Sequence, residues 1–224
     1  EQTDREGLRK VNYPEGNVKR QVSSVVRSCL RNYKCSSYGE LRTLLERFNV
    51  SIEERTGTID NRNYAGVIYG AMTDDGYGVG TPIKSSKIGK DVGYKALQKY
   101  YEKSQCQVKE EGALDRLRQC VRDAMRPHNT RDEFRRLLKA DNIDAIFRTN
   151  PVGKIYGVTF IDHNTGIVAN GSLLGKEFSA NAFNELYPAP KGMRQVAEQH
   201  PEQRREQRRH TVNPISGIVD TILD

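Results

Sequence analysis

An internal repeat is the feature that most constrains the fold of this chain. The segment "SSKIGKDVGYKAL" (residues 85–97) is matched by "GSLLGKEFSANAF" (residues 171–183), with Ser, an aliphatic residue, Gly-Lys and an acid in the same order. Upstream, residues 37–50 match residues 130–143 with one Arg, two Leu and one Asn identical. Residues 22–31 match residues 117–126 in the same way. Repetition on this scale predicts two copies of one supersecondary unit.

Each copy carries the signals of two helices, three strands and a final helix. In the first helix, Val22, Val25, Val26 and Cys29 have the spacing of one apolar face. The second helix of each copy begins with Ser or Thr followed three residues later by Glu, which is a capping box. We therefore predict an α+β fold of two tandem helix-helix-β-hairpin/strand-helix units, followed by a flexible basic tail.

The repeat and the changes in composition predict five segments. They are an N-terminal linker (1–17), repeat copy 1 (18–101), a linker (102–112), repeat copy 2 (113–187), and a basic, disordered tail with a short apolar end (188–224). The alternative for the tail is a solvated, charged helix, because Gln and Glu accompany its basic residues.

Charge gives the first indication of function. The 224 residues carry a net charge of +7, which favours polyanionic partners, with nucleic acid first and acidic membrane surfaces second. No signal peptide or membrane-spanning run is visible in the sequence, so we expect a cytoplasmic location and no membrane partner. The chain begins with Glu rather than Met, as a piece of a longer protein would.

The repeated Gly-Lys motif lacks the spacing and the final Ser or Thr of a nucleoside triphosphate loop. It can still bind a phosphate of a nucleic-acid backbone, because it precedes a helix and carries basic residues. The candidate contacts are Lys84, Ser85, Ser86, Lys87 and Lys90 in copy 1, and Ser172 and Lys176 in copy 2. The alternative is a tight glycine turn whose lysines are only solvated.

Two arginines recur before the strands of the two copies. Arg55 and Arg148 could each clamp a phosphate or form a structural salt bridge, and the sequence favours neither. Five aromatic residues could stack on unpaired bases, although packing inside a sheet is favoured for them. They are Tyr64, Tyr69, Tyr77, Tyr156 and Phe160.

The sequence contains little that indicates catalysis. Its four histidines lie at residues 128, 163, 200 and 210, without the spacing of a shared metal site, and its four cysteines form no C-x-x-C motif. Cys29 and Cys120 match Ala124 and Val25 in the other copy, which indicates packing. We predict no catalytic residues, no metal and no cofactor.

Longer stretches carry a resemblance. "NYPEGNVKRQVSSVVRSCLRNYKCSSYGELRTLLERFNVSIEERTG", "GTPIKSSKIGKDVGYKAL" and "GKIYGVTFIDHNTGIVANGSLLGKEFSANAF" resemble the region that follows the nuclease domain in relaxases, the mobilization proteins of Bacteroides-type conjugative elements. In that family an N-terminal domain with a metal-binding histidine cluster and a tyrosine nicks DNA. This chain has no His-x-His cluster, so the resemblance assigns it no catalytic residue.

The resemblance implies a non-catalytic accessory region of a conjugative relaxase. Its expected role is to bind DNA at or near the transfer origin during plasmid or transposon mobilization. The alternative is a protein–protein interaction module that recruits the coupling protein or an accessory mobilization protein. In that case the apolar segment "ISGIVDTILD" (residues 215–224) would form part of the interface.

Overall fold

The computed structural model describes residues 8–59, 62–126 and 130–188. Within these ranges the chain has an α+β fold, as predicted. Its helices are α1 (Val18–Asn32), α2 (Tyr38–Glu46), α3 (Tyr94–Lys109), α4 (Asp115–Ala124), α5 (Arg131–Ala140), α6 (Gly171–Leu174) and α7 (Ala180–Leu186). Its strands are β1 (Lys34–Cys35), β2 (Val50–Ile59), β3 (Arg62–Met72), β4 (Gly78–Lys84), β5 (Ile143–Thr149), β6 (Ile155–Asp162) and β7 (Ile167–Asn170). Nearly all of the predicted tail, including "ISGIVDTILD", lies outside the described residues.

The two halves of the chain use their main elements in the same order. The first half runs α1, α2, β2, β3, β4 and α3, and the second runs α4, α5, β5, β6, β7 and α7. Matched positions also share backbone geometry. Asn49 and Asn142, just after α2 and α5, have φ angles of 60° and 61°, in the left-handed region that Asn tolerates better than most residues.

The strands form two sheets. In the first, β2, β3 and β4 lie in sequence order and are antiparallel, with β2 and β3 in register from Val50↔Ala71 to Ile59↔Arg62. In the second, the order is β1-β7-β6-β5. Strand β1 comes from the first half of the chain and pairs in parallel with β7, with Cys35 beside Val168. The first half therefore completes the sheet of the second half.

The two halves pack into one body. The core of the first half includes Ile161 and Val168 from the second sheet, both fully buried. The opposite face of that sheet contributes Phe160, Ile167 and Ala169 to the other core. Both faces of the central strands β6 and β7 are therefore covered, which explains why their residues are almost continuously apolar.

A buried carboxylate joins α2 to the second sheet. Glu40, the third residue of α2, is only 1% exposed. Its Oε2 accepts hydrogen bonds from the backbone N–H of Ser36 at 2.6 Å and from the hydroxyl of Ser36 at 2.7 Å. Its Oε1 accepts one from the backbone N–H of Asn170, on β7, at 3.2 Å. Burial raises the pKa of Glu40, and these hydrogen bonds only partly offset it.

Some boundaries differ from those predicted. Helix α3 continues to Lys109, through most of the predicted linker 102–112, because Tyr101 and Val108 keep burying one face of it. In the predicted N-terminal linker, Val11 is buried and its backbone N–H donates to the carbonyl of Phe48 at 2.9 Å. Residues 8–17 therefore pack against the first half.

Candidate nucleic-acid interface

The first Gly-Lys turn, which we define as residues 84–91, connects β4 to the start of α3. Its backbone is held by the carbonyl of Ser85, which accepts hydrogen bonds from the N–H groups of Ile88 and Gly89, both at 2.9 Å. Ser85 is buried, so it anchors the turn rather than offering its side chain to solvent. Ser86, Lys87 and Lys90 are exposed, and Lys84 is half-buried at the end of β4.

The acid of this turn is bound by an arginine that lies far away in the sequence. Arg27, on α1, donates to both carboxylate oxygens of Asp91, at 2.6 and 3.1 Å, and to the carbonyl of Ile88 at 3.2 Å. The hydrogen bond from Arg27 holds the pKa of Asp91 below its usual value. Its negative charge is therefore compensated locally, and it opposes an approaching phosphate less than a free carboxylate would.

This ion pair also explains the glycine of the motif. A Cβ at Gly89 would touch the carboxylate of Asp91 and lie 2.7 Å from the guanidinium of Arg27. The acid folds back over the glycine and needs the space that a side chain would take. The recurring "Gly-Lys-acid" pattern is therefore accounted for by packing of the acid, whatever the lysine binds.

The second Gly-Lys turn, residues 171–177, repeats the arrangement with poorer geometry. Arg122 on α4, which matches Arg27 in the aligned sequences, lies 3.5 Å from the carboxylate of Glu177. Its guanidinium also lies over the ring of Phe178, 5.7 Å from the centroid. A Cβ at Gly175 would come within 2.5 Å of Glu177. Sequence reasoning missed both arginines, although an Arg and an acid that recur together at matched positions were a usable signal.

The predicted lysines differ in number between the two turns. In the first turn, Lys87 and Lys90 are exposed and make no ion pair with any carboxylate of the described residues. In the second turn, Ser172 and Lys176 are exposed, but Leu173 stands where the first turn has Lys87. The first turn therefore has the higher density of positive charge.

The two predicted arginines lie on strands and have carboxylate partners. Arg55 on β2 bonds to Glu53 of the same strand, at 2.9 and 3.3 Å. Arg148 on β5 donates to Thr43 at 2.9 Å and to Glu46 at 2.8 Å, both on α2. Arg148 thus links the two halves, an arrangement that agrees with the salt-bridge alternative.

The aromatic candidates divide into buried and exposed rings. Tyr69 and Phe160 are fully buried, and the hydroxyl of Tyr69 donates to the carbonyl of Val92 at 2.8 Å. Tyr64 covers Gly57 on the neighbouring strand. Tyr77 and Tyr156 are 74% and 64% exposed and have the most surface available for stacking on a base.

A polar cluster also lies between the halves, where His163 contacts Tyr33 and Asp144. The Nδ1 atom of His163 is 2.7 Å from the Tyr33 hydroxyl, and Nε2 is 3.2 Å from Asp144. A neutral histidine with its proton on Nε2 satisfies both contacts. Burial alone would raise the pKa of Asp144, but hydrogen bonds from His163 and Lys139 outweigh it and hold the pKa below its usual value.

Comparisons with known proteins identify no relative: no protein-family model, no curated protein and no solved structure matches the chain. Among the described residues, no three His, Cys, Asp or Glu side chains are grouped so that they could hold a metal ion. No helix in the described ranges has both the length and the apolar character needed to cross a membrane.

Proposed function

We propose that this chain is a non-catalytic, DNA-binding accessory region of a conjugative relaxase, and that it binds DNA at or near the transfer origin from the cytoplasm. One observation carries the proposal: the first Gly-Lys turn exposes Lys87 and Lys90 while Arg27 compensates the charge of Asp91. The net charge of +7 and the resemblance of the sequence to relaxases agree with it.

The proposed contacts are electrostatic and follow the phosphate backbone. Lys87 and Lys90 bind neighbouring phosphates, and the hydroxyl of Ser86 donates to one of them. Lys84, at the end of β4, adds positive charge at the edge of the turn. The duplicated unit, with Ser172 and Lys176 in its second turn, gives a second and weaker point of contact. This chain positions the protein along the DNA, and the nuclease domain of the family nicks the DNA strand.

The test is fluorescence anisotropy with labelled single-stranded and duplex DNA from the transfer origin, compared with scrambled DNA. We expect affinity to fall with salt, with a logarithmic slope of about −0.7 per phosphate contact on a single strand. Lys87→Glu combined with Lys90→Glu removes two contacts and should flatten the slope by about 1.4. Lys99→Glu combined with Lys103→Glu, two exposed charge reversals on α3, is the matched control and should leave the slope near that of the unmodified chain.

Two results would reject the proposal. One is the absence of binding to either form of DNA at low salt. The other is an equal loss of affinity in the Lys87/Lys90 variant and in the Lys99/Lys103 control, because the two variants change the net charge equally and equal losses would show that only total charge matters. A preference for the origin over scrambled DNA would support the specific role, since phosphate contacts alone carry no sequence information.

A further inference from the structure

An unpaired strand edge lies in a basic groove on the second half of the molecule. Strand β5 is the last strand of the second sheet, and β6 is its one partner in the described part of the chain. Its residues 143–147 form the floor of a groove of about 670 Å³. Among the described residues, no other strand pairs with the outer edge of β5. Every second residue of this edge therefore offers its backbone N–H and C=O to the groove.

The walls of this groove, which we call the β5 groove, are strongly basic. Arg135, Arg136 and Lys139 come from α5, and Arg47 comes from the end of α2. Among the described residues, the single acid of the lining is Asp144, which is largely buried and lies 3.0 Å from Lys139 and 3.7 Å from Arg47. The guanidinium of Arg135 lies 5.2 Å from the ring centroid of Phe147, on the floor. The described lining thus has four positively charged side chains and one carboxylate, whose negative charge is compensated by its basic neighbours.

The matched positions in the first half show that the fold does not require this charge. At the spacing of 93 residues, Arg136 and Lys139 correspond to Thr43 and Glu46 on α2. The corresponding part of the edge strand β2 carries Glu53 and Glu54. The same architecture thus has an acidic edge in one half and a basic groove in the other.

We propose that the β5 groove binds an extended, acidic segment of a partner protein, which adds to the sheet as a strand beside β5. An added strand satisfies both the N–H and the C=O groups of the edge, and its acidic side chains reach Arg47, Arg136 and Lys139. Five residues of floor correspond to roughly 17 Å of strand, enough for a short peptide. A nucleic-acid backbone fits less well, because phosphates only accept hydrogen bonds and would face the carbonyl oxygens of β5.

The experiment uses the full chain and a fluorescein-labelled peptide of alternating Glu and Val, measured by anisotropy. We expect saturable binding, and none to a peptide of alternating Lys and Val. Arg136→Glu, an exposed charge reversal on α5, should weaken binding about fivefold or more, because an exposed ion pair is replaced by repulsion. Lys99→Glu should leave it unchanged, and circular dichroism checks that both variants fold.

Two N-methylated versions of the acidic peptide separate strand addition from simple charge attraction. In each version, alternate backbone N–H groups are methylated, so one version blocks the edge that faces β5 and the other blocks the opposite edge. Strand addition predicts that one version loses binding and the other keeps it. Equal binding by both versions would overturn the proposal, and so would the absence of binding by the unmodified peptide. If only DNA binds, and Arg136→Glu weakens it, the groove is a nucleic-acid site and the proposal is wrong.

Discussion

Replacing Glu40 with Ala tests whether the buried carboxylate holds the two halves of the molecule together. The substitution removes the acceptor of three hydrogen bonds and leaves the backbone N–H groups of Ser36 and Asn170 without it. Each unsatisfied buried donor costs about 1–3 kcal/mol. Part of this is offset, because burying the carboxylate is itself unfavourable, as its raised pKa shows. We therefore expect a net loss of about 3 kcal/mol in the free energy of unfolding.

Thermal and urea unfolding, followed by circular dichroism, measure this loss. For a chain of this size, about 3 kcal/mol corresponds to a decrease in Tm of roughly 10 °C. The matched control is Glu133→Ala, at the same position of α5, where the carboxylate caps the helix at Thr130 on the surface. Its effect should be much smaller. Similar decreases in Tm for the two variants would show that Glu40 acts as a helix cap and does not hold the two halves together.

Three further predictions concern acid stability, charge at the first Gly-Lys turn and glycine packing. The pKa of Asp144 is lowered in the fold, so its carboxylate stabilises the folded state above about pH 4, and this contribution is lost as the pH falls through the folded pKa. Asp144→Asn should therefore reduce Tm most near neutrality. A reduction in Tm that stays constant down to pH 2 would contradict this. Arg27→Ala should weaken DNA binding about two- to threefold, and Asp91→Asn should strengthen it, because removing one charge of an exposed ion pair changes the binding free energy by a fraction of a kcal/mol. Anisotropy measures both affinities, and a change in the same direction for the two variants would contradict this. Gly171→Ala should lower Tm, because the new Cβ would overlap the carbonyl oxygen of Phe178. Gly39→Ala, on α2, places its Cβ in open space and should raise Tm. Equal shifts in Tm for the two variants would contradict these contacts.

The order of the elements could be predicted because its signals are local. The side chains of Ser37 and Thr130 cap α2 and α5, with the backbone N–H groups of Glu40 and Glu133 as donors. The full capping box is present at Thr130 but not at Ser37, because the Glu40 carboxylate accepts from Ser36 and Asn170 instead. The φ angles at Asn49 and Asn142 likewise follow from short-range backbone preferences. A spacing pattern and a capping box act over a few residues, so one sequence is enough to recognise them.

The joining of the two halves could not be predicted. Strand β1 has only two residues, Lys34 and Cys35, too few for any periodic pattern, and its partner β7 lies more than a hundred residues away in the sequence. The candidate site was proposed from its lysines, which are visible in the sequence. The contact between Arg27 and Asp91 was not predicted, because an ion pair across 64 residues leaves no local mark in the sequence.

Contact between DNA and the Gly-Lys turns can be mapped by an NMR titration of the ¹⁵N-labelled chain with transfer-origin DNA. We predict that the largest changes in amide chemical shift fall on residues 84–91, with smaller ones on residues 171–177, and that residues 143–147 of the β5 groove change little. The largest changes on the β5 groove, or an absence of changes at low salt, would contradict DNA binding at the Gly-Lys turns.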